Sequence, residues 1–316
     1  MEIFEVLDPG PFTTIQDLGR YGYQSFGVPV SGALDTYSAR VANILLGNAE
    51  DLAVLELTFM GPRLKALSEA EVVVTGAEVP LLLNGEPRKT WEVFRVQTGD
   101  ILSMKPAVAG LRAYLGVTGG IDVPLVMGSR STYAGAKLGG LNGRPLARGD
   151  VLRRGQGELG REGTSLPETY RPALEKTWIL RAIPGPQDDL FEEGLEVFFG
   201  SAYKVTSKAD RMGCRLSGPP VSLREGAPKS IISEPSLAGA VQIPPDGQPI
   251  ILLVEQTVGG YAKIATVISA DLPKVAQARP DHEIRFRRVD ISEGHAAYKE
   301  MENRLAALRV EIKGKE

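Results

Sequence analysis

Thr13-Thr14-Ile15-Gln16-Asp17-Leu18-Gly19-Arg20, continuing through Gly27-Val28-Pro29-Val30-Ser31-Gly32-Ala33-Leu34-Asp35, is the stretch from which the rest of the chain is read. It crowds Asp17, Asp35, Arg20, Gln16, several hydroxyls and several glycines between an apolar opening segment and an amphipathic helical pattern. A core segment does not require so many short polar groups, and a flexible linker does not require so much apolar punctuation. The pattern predicts a rigid, polar-lined loop feeding a helix N-terminus, where unpaired N–H donors suit a small anion or amide. Asp35 is placed to cap a helix over about 36–46, with Leu34, Tyr37, Val41, Ile44 and Leu45 as its apolar stripe and Gly47-Asn48 as its stop.

Outward from this stretch the period is that of strands. Residues 3–7 read as a short strand and Asp8-Pro9-Gly10-Pro11 as a turn. After Ala53, strands are expected at 54–59, 72–75, 81–84, 94–97, 101–103 and 112–117, with Asn84-Gly85 a strong hairpin signal. The second half restarts with strands at 178–183, 202–206, 231–235, 240–243, 250–256 and 262–269. It closes with a helix capped by Ser292 and running to about residue 308. Frequent glycine (36) and proline (22) punctuate these runs, so the expected fold is mainly β with few helices. Residues 161–176 are rich in Gly, Glu, Pro and Thr without periodicity and read as a linker between an N-terminal β-rich domain (1–160) and a C-terminal one (177–316).

Composition narrows the function. With 43% hydrophobic and 24% charged residues the chain is globular, and a net charge of −3 argues against nucleic acid as the main partner. One cysteine, Cys214, excludes an intrachain disulfide and fits a reducing compartment. No apolar run approaches the roughly 18–20 residues of a membrane span, and Met1–Glu5 does not read as a signal peptide, so a soluble cytoplasmic protein is expected. No GxxxxGK[ST] loop, HExxH or paired CxxC is present, and no metal site is expected. His282 and His295, the only histidines, sit in charged regions and read as surface residues, which leaves a Ser-His-Asp triad without a histidine. Met104-Lys105 resembles a biotin-attachment pair, but it lacks a second methionine and Pro106 follows, so no biotin is expected on this chain.

Thr13–Arg20, Gly27–Asp35 and Gly128-Ser129-Arg130-Ser131-Thr132 together resemble the KipA/PxpC family, also called the biotin-dependent carboxyltransferase or allophanate hydrolase subunit two family. Asp210-Arg211-Met212-Gly213, Gln242-Ile243-Pro244-Pro245-Asp246-Gly247-Gln248-Pro249-Ile250 and Gln256 through Gly259-Gly260-Tyr261 extend the resemblance over nearly the whole chain. The resemblance implies tandem β-barrel domains, at least one of them cyclophilin-like. It implies a KipI/PxpB-type sister subunit and a LamB/YcsF-type subunit, which together with this chain would form an ATP-dependent 5-oxoprolinase opening 5-oxo-L-proline to L-glutamate. ATP, with Mg, would be shared with those partners. The same module is found in urea carboxylase, where carboxybiotin delivers CO2 to urea, and the name KipI antagonist implies a third, non-enzymatic role of binding the sister. The chain departs from the family pattern at Tyr21, Leu34, Pro235, Ala262 and Val254-Glu255, where the family usually carries Asp-Arg before Gln-Thr.

The candidate residues follow from side-chain chemistry. Arg20, Arg130 and Arg211 each adjoin glycine or a charged turn; their guanidinium groups either clamp a carboxylate or phosphate or bond loop carbonyls. Gln16 and Asp17 read an amide or close the loop through backbone bonds, and Asp35 caps the helix beside a ligand loop. Ser129, Ser131 and Thr132 offer hydroxyls, and Gln256, Gly259, Gly260 and Tyr261 form a plausible wall against which a ligand can approach closely. Glu56 and Glu234 are candidate buried acids with raised pKa, or else ion-pair partners of the arginines. Asp17, Arg20 and Glu234 are the expected catalytic groups; Gln16, Asp35, Ser129, Arg130, Ser131, Thr132, Arg211, Gln256, Gly259, Gly260 and Tyr261 are expected to bind substrate, and the opening stretch, Ser129–Thr132, Asp210–Arg211 and Gln256–Tyr261 are expected to bound a common cleft.

Overall fold

The β-branched and aliphatic runs of the N-terminal half pair as antiparallel strands. In the computed structural model, which describes residues 1–314, the chain divides into two units. The first comprises Met1–Tyr21, Ser31–Leu174 and the chain from Arg304 onward; the second comprises Gly22–Val30 and Glu175–Asn303. Each is taken by itself.

The first unit contains β1 (Glu2–Asp8), β2 (Thr13–Gln16), α1 (Thr36–Leu45), β3 (Val54–Thr58), β4 (Arg63–Ala66), β5 (Ala70–Glu78), β6 (Leu81–Leu83), β7 (Glu86–Arg88), β8 (Phe94–Val96), β9 (Ile101–Met104), β10 (Ala109–Val117) and β11 (Val151–Arg153). They form two sheets, ordered β11-β1-β4-β9-β6-β7 and β2-β3-β10-β5-β8. Phe4, Leu64 and Leu102 of one sheet share a single core with Leu55, Val72 and Leu115 of the other. Helix α1 lies against β5 and β10, burying Ala39 with Val54 and Tyr114. The Asn84-Gly85 hairpin joins β6 to β7 with φ of 55° and 90°, the two positive values a two-residue turn of this hand requires.

The second unit contains β12 (Thr177–Pro184), α2 (Glu193–Gly200), β13 (Ala202–Val205), β14 (Gly213–Ser217), β15 (Glu234–Pro235), β16 (Ala240–Gln242), β17 (Ile250–Leu252), β18 (Val258–Gly259), β19 (Lys263–Val267), α3 (Leu272–Gln277), β20 (Glu283–Arg288) and α4 (Ile291–Lys313), whose end from Arg304 belongs to the first unit. Seven strands close into a barrel in the order β12-β19-β16-β17-β14-β13-β20, sealed by the parallel pair β12–β20. Closure leaves none of these strands as an open edge. Phe198 of α2 stacks on Phe286 of β20, ring centroids 4.2 Å apart. A separate two-stranded ribbon, β15–β18, sets Glu234 opposite Gly259. The protein is thus mainly β, with four α-helices among the described residues.

The structure corrects the sequence reading in several places. Thr13–Gln16 is a fully buried strand paired with β3, because Thr13, Thr14 and Ile15 are β-branched and their backbone partners lie some forty residues away in sequence. The short strand β4 is absent from the expected set, although Leu64 and Ala66 alternate with exposed Arg63 and Lys65. The runs expected at 231–235 and 250–256 shorten to Glu234–Pro235 and Ile250–Leu252. The expected linker is tied down along its first part: the buried Glu71 carboxylate accepts backbone N–H bonds from Gly160, Arg161 and Glu162 and one from the Arg95 guanidinium. Burial alone would raise the pKa of Glu71, but these donors outweigh it and hold the group below its ordinary value. His282 is half-buried and accepts from the Trp178 indole at 3.3 Å; burial first, then nearby Arg279 and Lys176, lower its pKa.

The cap of α4 also differs. Ser292 lies inside the helix, and the cap is the preceding Asp290, whose carboxylate accepts from Glu293 N at 2.8 Å while Glu293 reaches back to Asp290 N. Asp290→Ala is expected to lower stability by about 1 kcal/mol and Ser292→Ala to change it little, as read from urea-unfolding midpoints. Equal losses would return the cap to Ser292.

Candidate functional site

In the first unit the expected polar residues converge on one carboxylate. Strand β2 ends at Gln16, and the next residue, Asp17, is nearly buried. Asp17 Oδ1 accepts from Gly19 N (2.8 Å), Ser129 Oγ (2.7 Å) and the Ser131 hydroxyl, and Oδ2 accepts from Arg130 N (2.5 Å). Its own N–H donates to Ser131 Oγ at 3.0 Å. Thr132 N and Oγ1 both donate to Ile15 O, and Gln16 Nε2 donates to Thr132 O and Thr14 Oγ1. Gln16 Oε1 accepts from Gly32 N at 3.1 Å. Gly32 is required here: its φ is +86°, and a Cβ would stand 2.9 Å from the backbone of Gly19. The polar stretch and the Ser129–Thr132 segment are therefore one hydrogen-bonded body.

The arginines of this body serve it. Arg20 is fully buried and donates through Nε to Val126 O and through Nη2 to Ser131 O, both at 2.9 Å. Its Nη1 is buried and has no partner among the described residues. Burial lowers the Arg20 pKa, and the Asp17 charge opposes that shift. Arg130 donates to Val123 O at 3.0 Å, with Asp122 at 3.7 Å. Asp35 caps α1, accepting from Ser38 N and Ser38 Oγ, and its N–H donates to Tyr114 Oη. The Tyr114 hydroxyl donates to Glu56, which also accepts from Leu34 N at 2.8 Å and faces Arg112 at 3.9 Å. Burial, then the Glu56 and Asp35 charges, push the Tyr114 phenol well above its ordinary value.

The remaining candidates lie in the second unit. Arg211 pairs with Glu255 at 2.6 Å. Gln256 folds its amide onto Val258 O, and Tyr261 is exposed. Glu234 does not have the raised pKa expected of a buried acid. The ammonium of Lys263, 2.8 Å away, first, and Gln187 second, stabilise its charged form and lower its pKa. Sequence reasoning missed Lys263 and Gln187. Lys263 is 3% exposed, and its burial is set by barrel pairing that no local pattern reports. Gln187 fixes the pair from both ends, donating to Glu234 and accepting from Lys263 N at 3.0 Å.

A groove of about 430 Å³ in the first unit, beside the end of α1, is lined by Glu50, Arg161, Arg309 and Ile312 and by none of the expected site residues. Among the described residues no three His, Cys, Asp or Glu side chains gather as a metal-ligand set, and no helix is long and apolar enough to cross a membrane.

Known proteins share both this sequence and this fold. The sequence pattern of the carboxyltransferase domain, subdomain A and B, matches residues 26–288. A 5-oxoprolinase subunit from Haemophilus influenzae is 36% identical over 92% of this chain and 93% of its own length. A urea amidolyase of Lachancea kluyveri is 38% identical over 90% of this chain but only 17% of its own length. The crystal structure of the Kluyveromyces lactis urea carboxylase superposes with a TM-score of 0.92 at 35% identity, covering 97% of this chain and 29% of that one.

Two expectations follow. Asp17→Asn replaces one acceptor oxygen with an NH2 donor that faces other donors and is expected to cost roughly 2–3 kcal/mol of stability, measured by urea unfolding; a loss within experimental error would remove Asp17 as the centre of this body. For Glu234, whose folded pKa lies below the ordinary 4.5, the stabilisation is complete above pH 4.5 and is lost as pH falls through the folded value. Glu234→Gln should therefore flatten the acid limb of the stability–pH curve, and an unchanged limb would deny the ion pair its role.

Proposed function

The chain belongs to the family of the carboxyltransferase domain, subdomain A and B, and from that premise we propose that it is one subunit of a heteromeric, ATP-dependent 5-oxoprolinase. It acts with a KipI/PxpB-type and a LamB/YcsF-type subunit in opening 5-oxo-L-proline to L-glutamate. The observation that supports this reading is the similarity, along most of the chain, to two 5-oxoprolinase subunits at 34–36% identity. Phosphorylation of the lactam carbonyl by ATP makes a stable amide hydrolysable, and the complex supplies charges to stabilise the transferring group.

Within such a complex the two bodies of polar residues have different tasks. Asp17, Arg20, Gln16 and Ser129–Thr132 spend their hydrogen bonds on one another and hold a surface in shape. The Gln187–Glu234–Lys263 set of the second unit carries the side chains suited to a small polar ligand. The close superposition on urea carboxylase favours a second reading, transfer of CO2 from carboxybiotin to urea or a similar amide. A non-enzymatic hold on the sister subunit is the third.

Co-expression with the two partner subunits separates them. The assembled complex is expected to release glutamate from 5-oxoproline only with ATP, and the isolated chain to be inactive. A complex that assembles but consumes neither ATP nor lactam removes the first reading; carboxylation of urea when a biotin carboxylase and carrier are added instead selects the second.

A further inference from the structure

The groove beside the end of α1 is built from three stretches far apart in sequence. Ile44 and the turn Gly47–Glu50 line one part of it, Arg161 a second, and Arg309, Ile312 and Lys313 of α4 a third, all within the first unit. Its volume of about 430 Å³ falls in the range that holds a small organic ligand. Ile44 and Ile312, 4% and 2% exposed, make part of its wall apolar.

The rest of the wall is charged, with one sign in excess. Three cations, Arg161, Arg309 and Lys313, stand there against one acid, Glu50. That acid is shared: it pairs with Arg309 and, at 2.6 Å, with Arg40, which does not line the groove. The excess is local, on a chain whose net charge is −3. The carbonyl end of α1 attracts cations too, but it carries only about half an elementary charge and one guanidinium answers it. Gly47 shows which one. Its φ is +70°, and a Cβ there would stand 2.9 Å from Arg161 Nε, so the Arg161 guanidinium lies against the end of the helix. Arg309 and Lys313 are more than the helix end needs.

The wall is set before any ligand arrives. Asn48 donates to Asn43 Oδ1 and Val117 O and accepts from Gly119 N, and Asn43 donates to Glu50 O and Leu52 O, so the turn is fixed through its side chains. Arg161 is held by its backbone: its N–H donates to the buried Glu71 carboxylate at 2.8 Å and its carbonyl accepts from Thr164 N at 2.9 Å. Burying a carboxylate is costly, and the segment that Glu71 holds has no regular structure of its own. What the anchor secures is a guanidinium placed at the groove. A cation fixed in this way loses little freedom when it meets an anion.

The chemistry of the wall selects the ligand. An excess of two positive charges suits a dianion better than a single carboxylate, and guanidinium groups present paired N–H donors that match phosphate oxygens. A phosphate monoester is largely dianionic above its second pKa of about 6. The apolar residues add a place for an uncharged body, which free phosphate lacks. We propose that this groove binds a small organic phosphate monoester, its phosphate among Arg161, Arg309 and Lys313 and its apolar body against Ile44 and Ile312. The site does not depend on which reaction the assembled complex performs.

Isothermal titration calorimetry of the full chain with phenyl phosphate, at about pH 7.5 where the ester is largely dianionic, tests the site. Inorganic phosphate lacks the body, benzoate carries one charge and benzyl alcohol none. Phenyl phosphate is expected to bind, each of the three controls to bind at least about tenfold more weakly, and added salt to weaken the binding. Arg161→Gln should lower the affinity at least about tenfold, as the loss of a charge-assisted contact implies. It leaves the backbone bonds to Glu71 and Thr164 in place, so the variant keeps the fold. Ala49→Trp is the second arm: Ala49 is exposed and lines the groove, so the indole fills the space without entering the core and abolishes binding. Circular dichroism shows that both variants are folded. No binding of phenyl phosphate, equal binding of any control, or unchanged affinity in folded Arg161→Gln or Ala49→Trp overturns the site.

Discussion

The first unit depends on what one carboxylate collects. Asp17 sits immediately after a short buried strand and accepts from Gly19, Ser129, Arg130 and Ser131. An ionised carboxylate is acceptor-only, so a site rich in N–H and O–H donors is where burying it is least costly. The donors come from segments more than a hundred residues apart, and no single element would bring them together. Strand β2 fixes Asp17 against β3, Thr132 bonds back to Ile15, and Gly32 admits the chain at a distance no side chain would allow. Removing one of these donors would leave the buried carboxylate short of partners, and removing Asp17 would leave the donors unpaired, so the group stands or falls together.

Charge is used throughout this protein to fix backbone. Glu71 gathers three consecutive N–H groups of a segment with no regular structure, and Asp271 binds Arg181 through both its backbone N–H and its guanidinium. Arg20 and Arg130 donate to carbonyls of the 123–131 region. Side chains that look catalytic by type are here engaged as braces for loops that glycine makes possible but cannot hold. Hydrogen-bonding capacity is left over at Arg20 Nη1, Ser31 Oγ, Ser236 Oγ and Gln242 Oε1, which are buried and without a partner among the described residues.

Much of the architecture was legible because it is written in local periods and turns. Asn84-Gly85 declared its hairpin, Asp35 its helix cap, and alternating apolar residues most strands of both units. By its polarity alone Thr13–Gln16 reads as loop; what makes it a strand is pairing with residues 54–57. For the same reason Glu71 as an anchor for 160–162, and Lys263 as a partner for Glu234, left no trace nearby in sequence. The raised pKa expected for Glu234 fails on that missing partner, Lys263. Residue type announced that Gln16, Asp17 and Ser129–Thr132 belonged to something polar. Only the fold shows that they are chiefly partners of each other.

The end of α4 has a consequence for how the protein is made. Leu305, Leu308 and Ile312 are buried, Arg304 stands over the Tyr170 ring, and Arg309 pairs with Glu50, all within the first unit. Yet the residues between 175 and 303 belong to the second unit and are synthesised first. As the chain emerges, the barrel is complete in sequence while the two-sheet unit still lacks its last helical turns. The unit begun earliest therefore waits for residues made after the barrel, and the nascent chain carries exposed apolar surface on that unit until Leu305, Leu308 and Ile312 reach it.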